Sequence, residues 1–355
     1  MTIYKHIHQY VCTFFLGSLA MAFYACGSDD TETGAQETEQ VIGFFSNRIE
    51  EIGTRALTTN DNLKNQAIGV YGYKKKTDNT DHFLVFDNTK LTYTSYWYYA
   101  PQKYWDRTRS YSFMAYIPWK ESKESNVVYG FDDGTSKFTD VLTFNNIPQW
   151  QKIDGDGTET DYLVASSANT ADNYINNHGT VYLEFRHIYA QLLISVKKDV
   201  IGSSTTTNTI TGLRFGEASG EIPGVQNCTY LHDANNADNS KVTSARENGI
   251  ITFLDKNEAS DDIEAVSEIK PLANYLVAPF ATSNSASLYV DYTISDGVNT
   301  SAHNNVEVEL GKIDFKSNNK YTYVLRFEAG KPISVKAVEV KEWESVEVTD
   351  EVYNW

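Results

Sequence analysis

The feature that most constrains the fold is a recurrence of short apolar or alternating runs, each of strand length, from residue 41 onward. Clusters of Gly, Asn, Asp and Ser separate the runs, and no stretch keeps a helical apolar period over several turns. In residues 306–310 (VEVEL) the apolar side chains share one face and the glutamates the other, as in a sheet with one wet face. The chain is therefore predicted to be an all-β protein built from β-sandwiches. The other predicted strands are 68–73, 83–86, 111–117, 181–185, 287–294 and 321–327.

Two polar stretches interrupt these runs. The first, 169–179, contains the predicted domain boundary, which gives an N-terminal domain of residues 41–178 and a C-terminal domain of residues 179–355. The second, 227–248, is predicted to be a surface loop of the second domain. Residues 258–269 are predicted to form one short helix. In the last strand, 333–343, the apolar residues change parity once, as a β-bulge requires.

The composition excludes one class of partner. Asp and Glu number 47 against 30 Lys and Arg, so the formal net charge is −17. No basic stripe offsets this charge, and nucleic-acid binding is not expected. The chain has three cysteines, of which Cys12 and Cys26 lie in or beside an N-terminal apolar run. Cys228 stands alone in the body of the chain and is predicted to be a small buried hydrophobe.

The N-terminal residues have the pattern of an export signal. Lys5 precedes an uncharged run at 11–25, which has the length of a signal-peptide core and is short for a membrane span. Ala25 comes before Cys26, as in bacterial lipoprotein signals, where a peptidase cuts before a cysteine that carries a diacylglycerol. Residues 1–25 are thus the predicted signal peptide and Cys26 the predicted lipidation site.

Two features qualify this interpretation. Phe23 and Tyr24 replace the Leu and the small residue that lipoprotein signals usually have, so an ordinary secretory signal remains an alternative. In favour of a lipoprotein signal, Asp29 and Asp30 resemble the acidic tag that directs lipoproteins of the Bacteroidetes to the outer cell surface. Residues 26–40 have almost no large apolar side chains and are predicted to be a flexible tether.

Two segments could bind a ligand. Asp154, Asp156 and Asp161 are spaced closely among glycines, as in a calcium loop, but the EF-hand spacing fails and a plain Gly-Asp turn fits as well. Residues 93–105 hold seven aromatic side chains. Exposed rings there could stack on sugars, whereas rings of a packed strand would alternate between core and surface. The candidate stacking residues are Tyr96, Trp97, Tyr98 and Tyr99.

No motif supports catalysis. His187 has no partner at a recognisable spacing and is predicted to be structural. The sequence holds no nucleophile elbow, zinc-protease motif, paired-cysteine motif, phosphate loop or dinucleotide fingerprint. The chain is therefore not expected to be an enzyme or to need a cofactor.

A series of short motifs occurs in a recognisable order. They are Thr54-Arg55-Ala56, then 68–71, 98–105, 111–118, 161–165, 183–192 and 319–325, followed by a last strand that ends at Trp343. In this order, behind a lipoprotein-type signal, the chain resembles the fimbrillin family of Bacteroidales, the major and minor subunits of the type V pilus. The resemblance covers most of the chain after the tether. It implies two transthyretin-like β-sandwich domains in tandem.

The resemblance also implies a route of assembly. Subunits reach the outer membrane as lipoproteins, and a surface protease then cuts after an arginine, removing the lipid and the first strand. Here that strand would be 41–45 and the cut would follow Arg55, with Arg48 as second choice; an ordinary loop arginine is the alternative for Arg55. The emptied groove would accept a strand from a neighbouring subunit. Candidate donor residues are Val346, Val348, Val352 and Trp355 in the tail.

The leading hypothesis is a structural and adhesive fimbrial subunit, located first in the cell outer membrane and then in the fimbrium. Its short tail favours a tip or accessory role. The expected partners are other fimbrial subunits, a host or bacterial surface ligand, and the outer membrane through the lipid. The second hypothesis is a surface lipoprotein that binds glycans and keeps its lipid. A secreted hydrolase comes third.

Overall fold

Strands make up nearly all of the regular structure in the part of the chain that the computed structural model describes, which confirms the all-β prediction. Two short helices, α1 (Asn60–Leu63) and α2 (Ala171–Asn176), are the exceptions there, and no described helix is long and apolar enough to cross a membrane. The described residues are 39–49, 60–121, 126–154, 159–199, 206–217, 222–236, 240–244, 246–247, 250–255, 263–328 and 333–342.

The strands follow one another closely along the chain. The first ten are β1 Gly43–Ile49, β2 Ile68–Lys75, β3 Phe83–Tyr93, β4 Trp97–Tyr98, β5 Ser110–Ile117, β6 Val127–Asp132, β7 Lys137–Pro148, β8 Trp150–Lys152, β9 Leu163–Thr170 and β10 Thr180–His187. The others are β11 Ala190–Lys198, β12 Thr207–Glu217, β13 Ile222–Pro223, β14 Asn227–Asp233, β15 Lys241–Thr243, β16 Arg246–Glu247, β17 Ile250–Leu254, β18 Ile263–Ala265, β19 Lys270–Val277, β20 Phe280–Ala281, β21 Ala286–Ser295, β22 Thr300–Gly311, β23 Asp314–Phe315, β24 Asn319–Phe327 and β25 Ser334–Glu342. The predicted strands 68–73, 83–86, 111–117, 181–185, 287–294, 306–310 and 321–327 each lie in one of these strands.

Four larger sheets organise the fold. A seven-stranded sheet in the order β1-β10-β9-β5-β2-β3-β4 packs against a four-stranded sheet in the order β15-β14-β7-β6. Two five-stranded sheets, β25-β24-β11-β19-β8 and β17-β12-β21-β22, enclose a second core. Strand β18 also pairs with β12, and β13-β16 and β20-β23 form small two-stranded sheets.

Strand β5 shows how the seven-stranded sheet is buried on both faces. Tyr111 and Phe113 point into a cluster that this sheet shares with the two helices. Met114 and Tyr116 point to the opposite face, against the four-stranded sheet. Because both faces are covered, the strand reads SYSFMAYI, with large apolar side chains at successive positions rather than at every second one.

The C-terminal sheets keep the alternation that the sequence predicts. In β22, Val308 is buried in the core between the five-stranded sheets, whereas Glu307 and Glu309 are exposed. The predicted β-bulge in the last strand is also present. Tyr321 pairs with Val340 and the next residue pairs with Val338, so one residue of β25 is left between them.

Two local predictions are wrong. Residues 227–233 are not loop but strand β14, which pairs with β7 and buries Cys228 and Tyr230. Only two apolar side chains carry the alternation there, and the polar residues between them dominate the sequence pattern. Residues 263–265 form strand β18 rather than helix. Residues 258–262 of that predicted helix lie outside the described residues.

The seven-stranded sheet extends past the predicted domain boundary. Strand β10, which follows that boundary in the sequence, lies between β1 and β9. From Glu39 onward the chain groups into one compact unit. The division at 178/179 and the transthyretin-like topology of each half therefore stay predictions.

Candidate functional site

Among the described strands, β1 lies at one end of the seven-stranded sheet and pairs in parallel with a single neighbour, β10. The register places Gly43 opposite Thr180 and Phe45 opposite Tyr182, and it shifts once before Arg48. The strand begins two residues later than the predicted 41–45, although Val41 already bridges to Tyr104. A strand in this position is held by one ladder, so its other contacts decide how firmly it stays.

Ile42, just before β1, and alternate side chains of β1 point into the core beneath the sheet. Ile42 and Ser46 are almost fully buried, and Phe44 exposes 6% of its surface. The Phe44 ring meets those of Phe86, Tyr99 and Phe113 edge to face, with centroids 5.3, 5.7 and 5.7 Å away. Burial of such a side chain is worth roughly 1.5–3 kcal/mol, and good ring pairs add about 0.5–1.5 kcal/mol. The space filled by the side chains of Ile42, Phe44 and Ser46 is called the β1 slot below.

The aromatic segment after β3 holds the free backbone edge of β1. The Tyr99 hydroxyl donates to the Ile42 carbonyl at 2.8 Å, and the Trp97 indole donates to the Ser46 carbonyl at 3.1 Å. The Ile42 amide donates to the Lys103 carbonyl at 2.9 Å. Burial raises the pKa of Tyr99, so its hydroxyl keeps its proton as a donor. Two of the four rings considered for sugar stacking are therefore internal supports of the first strand.

The other two rings face outward. Tyr96 is 60% exposed and Tyr98 is 42% exposed, and their centroids lie 6.4 Å apart in an edge-to-face arrangement. The alternation expected of a packed strand is thus present, and it leaves these two rings available to a ligand. On β1 itself, Phe45 also faces outward and contacts the ring of Tyr182.

The turn after helix α2 receives the start of β1. The Gly179 carbonyl accepts hydrogen bonds from the Gly43 amide at 2.9 Å and from the Trp105 indole at 3.1 Å. Gly179 has a φ of +69°, and a Cβ atom there would lie 2.4 Å from the side chain of Gln40. Glycine is favoured there because the conformation is left-handed and because a Cβ atom would displace the Gln40 side chain.

Several sequence-predicted sites lie outside the described residues. They are Cys26, Arg55, Asp156, Val346, Val348, Val352 and Trp355. The backbone of Arg48 is described, and it lies within β1 opposite Glu184.

The two candidate calcium-binding residues that are described, Asp154 and Asp161, contact other side chains. Asp161 is buried, and the two oxygens of its carboxylate lie 2.9 and 2.8 Å from Nδ1 of buried His187. Asp154 lies two residues beyond strand β8, and its amide donates to the Glu159 carboxylate at 2.9 Å. Among the described residues no group of three metal-ligating side chains is present. His187 is buried against Asp161, as expected of a structural histidine, but this partner, 26 residues away, could not be identified from spacing.

Cys228 is buried, as predicted, and is not in a disulfide. Burial raises its pKa to about 12, so the thiol is protonated at neutral pH and is a poor nucleophile.

Comparison with known proteins points to one family. The model for fimbrillin-like proteins matches residues 54–343. The crystal structure of a fimbrial protein from Bacteroides vulgatus is 22% identical, with a TM-score of 0.56 over 86% of this chain and 99% of that one, which shows a shared fold. Proteins proposed to act in cell adhesion from Bacteroides ovatus and Bacteroides uniformis are each 15% identical, with TM-scores of 0.47 and 0.44. The match to the Bacteroides ovatus protein covers 86% of this chain and 98% of that one. The match to the Bacteroides uniformis protein covers 85% of this chain and 99% of that one. No curated protein matches the chain.

Proposed function

Because the chain belongs to the fimbrillin-like family, we propose that it is a structural and adhesive subunit of a cell-surface fimbrium that assembles by strand exchange. It is exported as a lipoprotein through Cys26 and anchored in the outer membrane, and it is then cut so that the anchor and the first strand leave together. The partner is another fimbrial subunit, which supplies the replacement strand. The role is that of a tip or accessory subunit of two tandem sandwich domains.

The observation that supports this proposal most is the construction of the β1 slot. Strand β1 is terminal in its sheet and buries Phe44 among three rings. Its second edge is held by the side chains of Trp97 and Tyr99 and by a short backbone contact at residues 103–105. Its loss would leave an apolar groove and unpaired backbone groups on β10. A replacement strand restores both the backbone hydrogen bonds and the side-chain packing.

The position of Arg48 favours Arg55 as the processed residue. A protease binds its substrate in an extended, accessible conformation, whereas the backbone at Arg48 is already paired with β10. A cut after Arg55 would leave β1 intact as one removable segment. Residues 41–49 would then depart as a unit.

Processing can be tested with a matched pair of variants. Surface-shed wild-type protein is expected to begin at Ala56 when its N-terminus is sequenced. The R55K substitution should abolish the cut, because lysine does not satisfy an arginine-specific protease, whereas R48K should leave it unchanged. Lipid-linked Cys26 in all mature wild-type material would contradict the proposal.

A second candidate function rests on the exposed pair Tyr96 and Tyr98. Two adjacent outward rings form a surface that suits stacking on a sugar. In this case the protein is an outer-membrane lipoprotein that binds glycans and keeps its lipid. Glycan-array binding that disappears in the Y96A/Y98A variant, with Cys26 still lipidated in mature material, would support this alternative over the first.

A further inference from the structure

The β1 slot has three positions of different size and polarity. The first holds the aliphatic side chain of Ile42, the second the aromatic ring of Phe44, and the third the small side chain of Ser46. The Ser46 hydroxyl is buried and has no hydrogen-bond partner in the described part of the chain. The third position therefore selects a small residue and gains nothing from the hydroxyl.

The contacts to the backbone of β1 do not depend on its side chains. Tyr99 and Trp97 donate to carbonyl groups, and the Lys103 carbonyl accepts from an amide. Any extended strand offers the same groups at the same spacing. Discrimination between incoming strands must therefore come from the three side-chain positions.

Residues 344–355 do not fit these positions. Strand side chains alternate, so a filling strand presents residues i, i+2 and i+4 to the slot. In ESVEVTDEVYNW every such set includes at least one Asp or Glu. With Val346 and Val348 in the first two positions, Asp350 takes the third, and the sets centred on Val352 and Tyr353 include Asp350 and Glu351.

Reversal of the strand direction changes nothing, because the same three residues enter in the opposite order. Each register thus buries a carboxylate at one of the three positions. Ile42 and Ser46 are nearly sealed from water at the outer two, and Phe44 fills the middle one, the ring pocket formed by Phe86, Tyr99 and Phe113. The buried side chains that pack around Phe44 in this core are aliphatic and aromatic, so they offer a carboxylate no counter-charge. An unpaired buried carboxylate is strongly disfavoured.

We infer that the slot takes a strand from a different protein, with an aliphatic, an aromatic and a small residue at alternate positions, and rejects residues 344–355 of a second copy. This inference rests on the strand exchange proposed above. In the proposed processing the matching segment of a second copy, 41–49, leaves with the anchor, so the contact is heterotypic and the protein does not polymerise with itself through this tail.

The test uses the full chain with a site-specific protease sequence replacing part of residues 50–59. After cutting, the protein is mixed with three fluorescent peptides, and binding is followed by anisotropy. The first peptide is residues 39–49, the second is residues 344–355, and the third is the second with V348F and D350A, which creates the required pattern. The first and third should bind at least about 100-fold more tightly than the second, because the buried carboxylate is removed and the ring pocket is filled.

The outcomes separate the two proposals. Equal binding of all three peptides would overturn the selectivity and leave strand exchange intact. Binding of peptide 39–49 alone, with the doubly substituted peptide as weak as the tail, would overturn the pattern assigned to the three positions. If peptide 39–49 also fails to enter the cut protein, strand exchange itself is refuted, and the selectivity with it.

Discussion

At the scale of residues, the segment 96–99 divides its four rings between two environments. Tyr96 and Tyr98 face solvent, while Trp97 and Tyr99 use their polar groups to hold the carbonyls of β1. A buried Tyr or Trp usually finds a hydrogen-bond partner for its polar atom. The sequence predicts the alternation but does not tell which strand the inner pair supports.

The hydroxyl of Tyr99 can be removed without changing the packing of its ring. The Y99F substitution leaves the buried Ile42 carbonyl without this donor, and we expect the free energy of unfolding in urea to fall by about 1–2 kcal/mol. The control is Y98F, whose side chain is largely exposed and which should change it by less than about 0.5 kcal/mol. Equal effects would mean that this hydrogen bond contributes nothing measurable.

His232 gives the protein a defined sensitivity to acid. Burial lowers its pKa to about 4, while in the unfolded chain it titrates near 6.5. Between these values the unfolded state binds a proton that the folded state does not, so stability is lost as the pH falls from about 6.5 to 4.

The H232Q variant should lose this part of the pH dependence. The difference in unfolding free energy between wild type and variant is expected to change by on the order of 2–3 kcal/mol between pH 7 and pH 4. Urea unfolding at several pH values measures it. Parallel curves for the two proteins would show that His232 does not make this contribution.

At the scale of elements, strand patterns were predictable wherever large apolar side chains marked them. Strand β5 is apolar because both its faces are buried, and β22 alternates because one face is wet. Strand β14 was not predicted because Cys228 and Tyr230 are its only fully buried side chains. The β1 slot was not predicted either. The contact between β1 and the aromatic segment joins residues more than 50 positions apart, and no local sequence pattern encodes it.

The alternation of β1 can be tested on two adjacent phenylalanines. F44A empties the ring pocket and is expected to cost about 3–5 kcal/mol of unfolding free energy. F45A removes an outward side chain that is 41% exposed and should cost less than about 1 kcal/mol. Thermal or urea unfolding distinguishes the two, and a reversed order would mean that the strand presents its other face to the core.

At the scale of the whole molecule, the halves that the sequence divides at residue 178 share strands. Strand β10 completes the first sheet, and β14 pairs with β7 in the second. The hydrophobic cluster on that side draws on Tyr71, Phe144 and Leu276, from well-separated parts of the chain. Alternation along single strands cannot predict such sharing, because it depends on which distant strands become neighbours.

A fragment of residues 39–178 is therefore expected not to fold by itself. It lacks β10, so β1 has no ladder and β9 loses a neighbour, and it lacks β14. Near-UV circular dichroism and limited proteolysis should show an unfolded or loosely packed chain. A fragment with native-like tertiary signals would mean that the first half is an independent domain.

The parallel pairing of β1 with β10 also has a mechanical consequence. The hydrogen bonds on both edges of β1 run across its axis, toward β10 on one side and toward Trp97, Tyr99 and Lys103 on the other. A pull along the axis loads all of these bonds in shear at once, whereas a pull at one end across the axis would open them one after another. A strand seated in this slot therefore resists tension best when the force follows its own direction.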